Sequence, residues 1–389
     1  MPSTRKINVS QQYSPQFLKI LDKVNKENPG AIRLSTGKSD KRRIPTGYFE
    51  VDRILGGGLP VNRITLAYGP KGGHKTTLGL KTIANWQKLC GLCLNLKEEC
   101  VCPPLGEEEV RPSYAVYIDT EHALDEGHAA RLGVDWQHLI VCKPEYGEKA
   151  CEYAENLVRL PDIGIVMIDS LSDLMPQGEY KSGYLDGQSR GARAKLIARM
   201  TRAMVSILDN ITYPRLCIMI NHMLPAQDKL GWVLPGGEEQ KYQSSVVLRT
   251  MVDNRKNRLI IDRDGTVMEV ADSDAGNVKP VVKTGPREQD LRVWLEHCKV
   301  GPGNINVEFT VYLEEFESFR WGDCDDRRSV FLSAQRLGWV YQENTTWIDR
   351  ITGFSSKTQK ALFQHWIDNQ RGYEKLKAQL ISGERFKEE

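Results

Sequence analysis

Residues 64–89 place an apolar strand-like run, a glycine-rich loop and a helical run in direct succession. The run is ITLAYG, the loop is GPKGGHKTT from Gly69 to Thr77, and the helical run is TTLGLKTIANWQKL. A phosphate-binding loop requires this context, because backbone N–H groups of the loop and the N-terminus of the following helix surround the phosphates. The feature predicts an α/β fold with the loop at the carboxyl edge of a sheet.

The loop departs from the pattern G-x-x-x-x-G-K-[ST] at one position, because His74 replaces the second glycine. The site is therefore functional, inactive or a chance match. Histidine is among the non-glycine residues enriched at positive φ, at a cost of about 1–3 kcal/mol where the position is strained. We interpret the loop as intact, with Lys75 on the β- and γ-phosphates and Thr76 on Mg²⁺. The predicted nucleotide-binding residues of the loop are Gly69, Pro70, Lys71, Gly72, Gly73, His74, Lys75, Thr76 and Thr77.

Two later strand-like runs deliver carboxylates to the same edge. IGIVMIDS ends in Asp169, which is predicted to hold the water shell of the magnesium ion. YAVYIDTEHALD brings Asp119 and Glu121 to the carboxyl ends of the strands, and Glu121 is placed to deprotonate an attacking water. Each motif alone is commonly structural. In this order they predict ATP and Mg²⁺ as cofactors.

Strand-like and helical segments alternate from about residue 45 to residue 314, which indicates a mostly parallel sheet with helices on both faces. The expected strands are ITLAYG, YAVYID, HLIVC, IGIVMID and LCIMIN. The composition changes after Arg320 and predicts a small α+β domain. There, Ser355 or Ser356 is expected to cap a helix that carries Leu362 and Trp366. The predicted domains are residues 1–44, 45–315 and 316–389.

The N-terminal segment contains one short amphipathic helix. Ser14 is an N-cap candidate and Pro15 fits the first helical position. Phe17, Ile20 and Val24 fall on one face. An isolated helix of this length is marginal in water, so its apolar face needs a partner. That partner is either its own domain or a neighbouring subunit.

The composition limits the classes of partner. The net charge is only +2, so nucleic-acid binding would depend on local basic patches. No run approaches the ~20 apolar residues of a membrane span. The start of the chain, MPSTRKINVSQQYSPQF, lacks the apolar core of a signal peptide. A cytoplasmic protein without membrane contact is expected.

Four of the nine cysteines occur together in the segment CGLCLNLKEECVC, residues 90–102. Cys90 and Cys93 have the spacing of a zinc knuckle, and Cys100 and Cys102 can reach the same tetrahedral ion. Oxidised pairs and free surface thiols are the alternatives, and a cytosolic chain disfavours oxidation. The segment is predicted to bind a structural zinc ion and to project from the core.

Three blocks of the chain resemble the RecA family of homologous recombinases. They are IPTGYFEVDRILGGGLPVNRITLAYGPKGGHKTTL, YIDTEHALDEGHAARLGVDWQHLIVCKPEYGEKACE and IVMIDSLSDLMP. FLKILDKVNKENPGAIRL is similar to the family's polymerisation helix, and the region from Arg320 to Ile381 to its small C-terminal domain. His74 and His222 depart from the bacterial pattern. Phage-encoded members are looser at both places, which favours a viral origin and, with it, the host cytoplasm.

The resemblance implies a RecA-like P-loop ATPase core and two loops that bind single-stranded DNA. The first would be EYKSGYLDGQSRGAR, residues 179–193, and the second MLPAQDKLGWVLPGGEEQK, residues 223–241. His222, before the second loop, is similar to the family's γ-phosphate sensor. The DNA-binding residues expected in or next to these loops are Arg190, Arg193, Lys195, Arg199, Arg202, Trp232, Gly236, Gly237 and Lys241.

Part of this expectation also follows from the residues themselves. Lys195, Arg199 and Arg202 recur at helical spacings of four and three, so they share one face of a helix. Such a basic stripe is commonly a solvated face, but after a glycine-rich loop it is a candidate for tracking phosphates. Trp232 is expected either to stack on bases or to fold back onto the core.

The family also places basic groups of a neighbouring subunit on the γ-phosphate, and the matching segment LEHCKVGPGNINVEFTVYLE suggests Lys299 and His297. The predicted catalytic residues are therefore Lys75, Glu121 and Lys299. The expected protein is a DNA-dependent ATPase that forms a helical filament of many copies on single-stranded DNA and pairs it with homologous duplex DNA. The alternatives are a ring-forming helicase on the same core and a DNA-binding regulator that holds nucleotide without hydrolysing it.

Overall fold

The computed structural model describes residues 14–27, 42–103, 111–182, 191–211, 213–225, 232–252, 259–261, 267–269, 288–315, 319–383 and 386. The first helix belongs to one unit of the chain, residues 1–41, and everything from Arg42 onward to a second unit. The predicted domain boundaries at residues 44/45 and 315/316 stay predictions.

The helices and strands follow in chain order. The helices are α1 Pro15–Glu27, α2 Phe49–Leu55, α3 Lys75–Trp86, α4 Glu126–Arg131, α5 Gly147–Leu157, α6 Gln177–Ser182, α7 Ala192–Asp209, α8 Glu239–Gln243, α9 Arg327–Leu337, α10 Gln359–Asp368 and α11 Gln370–Ser382. The strands are β1 Arg43–Ile44, β2 Leu59–Pro60, β3 Arg63–Gly69, β4 Tyr114–Asp119, β5 Leu139–Cys142, β6 Ile163–Asp169, β7 Leu216–His222, β8 Leu224–Pro225, β9 Trp232–Val233, β10 Val246–Val252, β11 Leu259–Ile261, β12 Val267–Glu269, β13 Glu288–Cys298, β14 Ile305–Tyr312, β15 Val340–Glu343, β16 Thr346–Asp349 and β17 Ser355–Ser356.

Helix α1 begins as the sequence predicts. The Ser14 hydroxyl oxygen accepts a hydrogen bond from the Phe17 backbone N–H at 3.2 Å, and Pro15 occupies the first turn, where a missing N–H costs nothing. The side chains of Phe17 and Ile20 are exposed. Every helix in the described part of the chain is too short or too polar to cross a bilayer.

An eight-stranded sheet organises the second unit. Its strand order is β14-β13-β10-β3-β7-β6-β4-β5, and the six strands from β10 to β5 run parallel. Strands β13 and β14 extend the sheet as an antiparallel hairpin. All seven residues of β6 are buried, which is typical of a parallel strand covered on both faces. The predicted α/β fold with a mostly parallel sheet is confirmed.

Helices cover both faces of this sheet and give it two apolar cores. Leu80, Ile83 and Trp86 of α3 enter one core, and Ala154 of α5 and Met204 of α7 enter the other. A methyl group on Gly164 of β6 would lie 1.9 Å from the Trp86 ring, so only glycine leaves room for this indole. Helix α3, which follows the loop, is thereby fixed against the sheet.

The C-terminal part forms a smaller layer of three antiparallel strands, β15, β16 and β17, with helices α9 to α11. Its core also takes in Phe49 of α2. The indole Nε1 of Trp366 donates to the buried Asp349 carboxylate at 2.9 Å, so the one polar group of this side chain is satisfied.

The predicted cap of helix α10 was wrong. Thr358 is the N-cap residue, and its hydroxyl oxygen accepts from the Ala361 backbone N–H at 3.3 Å. Ser355 and Ser356 instead pair with Ile348 and Trp347 as strand β17. Ser355, Ser356 and Thr358 are all suitable N-cap residues, and pairing with the preceding strand β16 takes the two serines out of the helix.

Candidate ATP site and nucleic-acid surface

The carboxyl ends of the parallel strands bring the predicted site residues together. In the strand register Gly69 lies opposite His222, and Asp119 lies opposite Asp169. The glycine-rich loop begins at Gly69, and Glu121 follows two residues after Asp119. One edge of the sheet therefore carries the loop, the three carboxylates and the histidine, as expected for a ligand site in an open α/β sheet.

The loop accommodates His74 in the backbone conformation that the missing glycine would adopt. His74 has φ 56° and ψ 24° and precedes helix α3, and Gly72 has φ 76°. The His74 Nε2 and the Gln289 Oε1 are 2.8 Å apart, and the ring centroid lies 6.0 Å from that of Trp321. Burial lowers the pKa of His74, which keeps the imidazole neutral. The side chain is thus held by contacts to β13 and to the segment after β14.

Lys75 sits at the start of α3 with its ammonium group turned onto the loop. Its Nζ donates to the Pro70 carbonyl oxygen at 2.8 Å. Burial lowers the pKa of Lys75 to about 8, while the nearby Asp169 and Glu121 carboxylates act against this shift. A phosphate oxygen could replace the Pro70 carbonyl as acceptor and would favour the charged form.

Thr76 and Asp169 are adjacent, as a magnesium site requires. The Thr76 hydroxyl donates to Asp169 Oδ2 at 2.7 Å, and the Tyr117 hydroxyl donates to the same oxygen at 2.8 Å. Asp169 Oδ1 is buried and has no hydrogen-bond partner among the described residues. Burial raises the pKa of Asp169, and the bonds from Thr76 and Tyr117 oppose this. The unpaired oxygen beside a hydroxyl fits Mg²⁺ and its bound water.

Glu121 and His222 form the closest contact at this edge. Glu121 Oε1 lies 2.5 Å from His222 Nε2, and both side chains are about a quarter exposed, at 27% and 21%. The bond from His222 is the main reason that the pKa of Glu121 lies below its usual value, with a further bond from Ser170. Glu121 is therefore an ionised carboxylate with access to solvent, which a general base requires.

Asp119 has a structural role. Its carboxylate accepts from the backbone N–H groups of Ala123 and Leu124 at 3.1 and 3.2 Å, so it shapes the turn that carries Glu121. Sequence reasoning missed Tyr117, although its position two residues before Asp119 puts it on the same face of β4.

The basic stripe on α7 is exposed but partly paired. Lys195, Arg199 and Arg202 all face solvent on the helix that follows Gly191. Arg202 makes an ion pair with Glu239 at 3.3 Å, and Arg199 lines a shallow groove with three glutamates of α5, Glu148, Glu152 and Glu155. Lys195 is exposed and has no ion pair among the described residues. Arg193 Nε donates to the Leu174 carbonyl oxygen at 3.1 Å. Arg190 lies outside the described residues.

The second predicted loop contains a two-stranded hairpin of β8 and β9. Trp232 and Val233 at its end are 54% and 50% exposed, so the alternative in which Trp232 packs on the core does not apply. Gly236 and Gly237 have φ 85° and 79°, and a methyl group on Gly236 would lie 2.3 Å from Ile197 of α7. The glycines thus let the hairpin's base pack directly on the helix that carries the basic stripe.

Lys241 lies beside Tyr68, the residue before Gly69, whereas Lys299 lies near the start of β10, where its backbone N–H donates to the Ser245 carbonyl oxygen at 2.8 Å. Lys241 Nζ lies 3.7 Å from a Glu296 oxygen and 4.6 Å from the centre of the Tyr68 ring. Lys299 Nζ donates to the carbonyl oxygens of Tyr242 and Gln243 at 2.6 and 3.3 Å. The roles of Lys241 on DNA and of Lys299 and His297 in a neighbouring subunit's site stay predictions.

Comparison with known proteins places this site in a family. The model of the RecA N-terminal domain matches residues 17–105 and 103–283. Curated relatives include the proteins named RecA of Nautilia profundicola, 34% identical over 239 residues, and of Cytophaga hutchinsonii, 33% identical over 241 residues. These matches cover 60% of this chain and 58% and 57% of the two relatives. The protein named RecA of Thermus aquaticus is 32% identical over 264 residues, which are 64% of this chain and 66% of that protein.

The chain thus spans less than two thirds of the length of these relatives. The matched region of the family model contains strands β3 to β7, the loop with Lys75, and the carboxylates Asp169 and Glu121. The family model matches well over half of the chain, and the structure has the corresponding sheet, so this protein belongs to the RecA family.

Proposed function

We propose that this protein is an ATP-dependent DNA recombinase. In this proposal many copies coat single-stranded DNA as a helical filament, and the coated strand pairs with homologous duplex DNA. The observation that carries the proposal is the position of His222. Its ring contacts Glu121 at the ATP site, and the chain continues from it into the exposed Trp232 hairpin within the next ten residues.

Four side chains have defined tasks in ATP hydrolysis. Lys75 would neutralise the β- and γ-phosphates, and Thr76 and Asp169 would hold Mg²⁺, which would supply charge stabilisation to the phosphates. Glu121 accepts the proton of the attacking water. The lowered pKa of Glu121 keeps it ready to do so at neutral pH.

His222 and Asn221 offer a route from ATP to DNA. The Asn221 amide donates to the Pro235 carbonyl oxygen at 2.8 Å and to the Gln240 side chain at 2.7 Å, and its own oxygen accepts from the His222 backbone N–H at 2.8 Å. A displacement of His222 by the γ-phosphate would therefore be transmitted to both ends of the Gly236 turn. The hairpin would present Trp232 to bases in the ATP-bound state and withdraw it after hydrolysis.

The surface next to this hairpin supports a sequence-independent interaction with DNA. Lys195 and Arg199 supply charges for phosphates, and Trp232 supplies a ring whose stacking on a base is worth about 1–3 kcal/mol. Base pairing between the strands would read the sequence, so the protein needs no base-specific contacts. The viral origin and the cytoplasmic location stay predictions.

Electron microscopy with single-stranded DNA and a slowly hydrolysed ATP analogue tests the proposal. We expect open helical filaments. Closed rings would favour the helicase alternative, and bound DNA without any assembly would favour the regulatory one.

The same electron microscopy experiment can test the apolar face of α1 with a variant. Phe17 and Ile20 are 40% and 55% exposed, and a neighbouring subunit is the proposed partner of this face. The double variant Phe17→Glu/Ile20→Glu is expected to bind ATP as a monomer and to form no filaments. Lys19→Glu, on the polar side of the same helix, is the control and should keep them. Normal filaments from the double variant would exclude α1 as the polymerisation helix.

The basic stripe predicts a change in the salt dependence of DNA binding. Removing the charge of Lys195 should lower the slope of log K against log salt by about one unit, for any DNA sequence. Arg199→Ala and Arg202→Ala should change it less, because the glutamates of α5 and Glu239 already compensate those charges. Lys143, an exposed lysine after β5, provides the control variant. Fluorescence anisotropy at several salt concentrations measures the slope. If the variant that lacks all three charges, Lys195, Arg199 and Arg202, shows an unchanged slope, the stripe only faces solvent and does not contact DNA.

A further inference from the structure

Four cysteine sulfurs meet in the segment between α3 and β4, away from the ATP site. The Sγ atoms of Cys90, Cys93, Cys100 and Cys102 all lie within 4.8 Å of one another. Cys90 is buried and the other three are partly buried, so protein atoms enclose the group on several sides. The proposed recombinase function makes no use of these thiols.

The spacing of the sulfurs suits one tetrahedral metal ion. The Sγ atoms of Cys93 and Cys100 are 3.8 Å apart. Zn–S bonds of about 2.3 Å at tetrahedral angles also put the sulfurs about 3.8 Å apart, whereas a disulfide needs about 2.05 Å. Two sulfurs 3.8 Å apart are an ordinary van der Waals contact. Four sulfurs within 4.8 Å of one another are not, and this cluster therefore needs an explanation.

The backbone around the first pair forms a closed turn. The loop is closed by hydrogen bonds from the Cys90 N–H to the Asn95 oxygen at 2.8 Å and from the Leu94 N–H to the Cys90 oxygen at 2.9 Å.

Leu94 adopts an unfavourable backbone conformation within this turn. It has φ 61°, in the left-handed region that residues with a side chain rarely adopt. Such a residue costs about 1–3 kcal/mol and persists only where the surroundings impose it. A metal ion that bridges Cys93 to Cys100 and Cys102 would impose it across the turn.

We propose that Cys90, Cys93, Cys100 and Cys102 bind one structural zinc ion. With four protein thiolates the coordination is complete, so no position is open for catalysis. The net negative charge of the centre is partly offset by Arg111, whose Nη1 lies 4.0 Å from the Cys100 sulfur. The site also fixes the Leu92 carbonyl oxygen, which accepts from Arg42 Nη1 at 2.9 Å at the point where the second unit of the chain begins.

Metal analysis of the full-length protein, purified without chelator under reducing conditions, tests the proposal. We expect about one equivalent of zinc per chain. Cys93→Ser should lose at least about nine tenths of it. Cys142→Ser is the control, because this partly buried thiol lies outside the cluster, and it should keep the full equivalent.

A second measurement does not depend on the folding of a variant. Wild-type protein stripped of zinc and loaded with Co²⁺ should show the strong visible bands of tetrahedral cobalt thiolate. Less than about a tenth of an equivalent of zinc together with no such bands would overturn the proposal. Titratable thiols at these four cysteines in the native protein would then identify free cysteines, and a mass reduced by the hydrogens of disulfides would identify oxidised pairs.

Discussion

Lys75→Ala is expected to reduce ATP hydrolysis by about 10²- to 10³-fold or more, the scale for removing a charge-stabilising group from a transition state. Lys75 is the buried cation at the N-terminus of α3, and its Nζ lies 2.8 Å from the loop carbonyl that a phosphate would replace. Without it the γ-phosphate loses its charge partner in both the ground state and the transition state. DNA-stimulated phosphate release measures the rate, and titration calorimetry measures ATP affinity.

The variant should remain folded, because the removed ammonium group is buried and burial already disfavours its charge. Thermal unfolding of the variant and the wild type checks this. Lys149→Ala, which removes a surface lysine paired with Glu152 on α5, is the control and should hydrolyse ATP normally. A Lys75→Ala rate within about tenfold of wild type would mean that the loop does not bind the reacting phosphates.

Local sequence patterns predicted the parts of this site that are built from consecutive residues. The strand, the glycine-rich loop and helix α3 follow from one apolar run and one spacing rule. The positive φ of His74 follows from the glycine that it replaces. The positions of Asp169 and Glu121 follow because parallel strands end at a common edge.

The contacts that sequence reasoning missed join residues that are far apart in the chain. Gln289, which holds His74, lies on β13, 215 residues later. Glu239, which neutralises Arg202 of the stripe, comes from α8. Gln289 belongs to no motif, and its approach to His74 depends on the order of strands in the sheet. Glu239 lies in the predicted second loop, but no spacing rule pairs it with Arg202. The missed strand β17 is a local case, because pairing with the preceding strand β16 turned two candidate caps into a strand.

His222 combines a position that the sequence predicts with a contact that only the structure reveals. Its position after strand LCIMIN was readable from the sequence, but its bond to Glu121 spans 101 residues and depends on β7 and β4 ending at the same height. The bond makes His222 part of the proposed ATP site, and the chain continues from His222 into the hairpin. It also predicts that a change at Glu121 will alter DNA binding.

Glu121→Gln is expected to bind ATP at least as well as wild type and to lower kcat about 10²- to 10⁴-fold, the range for losing a general base. The amide is isosteric but cannot accept the proton of the attacking water. It also removes a negative charge near the phosphates, which explains the retained affinity. Single-turnover hydrolysis with DNA present measures the chemical step. Normal turnover would remove Glu121 from the catalytic residues.

The same variant should remain on single-stranded DNA in the presence of ATP, because a site that does not hydrolyse stays in its ATP-bound state. Dissociation from labelled DNA after addition of excess competitor measures this, and it should slow in proportion to hydrolysis. Asp173→Asn is the matched control. Its carboxylate lies within 4.8 Å of the same groups but bonds to Ser170 and Ser172. If Glu121→Gln hydrolyses slowly yet leaves DNA as fast as wild type, then hydrolysis does not time release, and the contact between His222 and Glu121 does not couple the two sites.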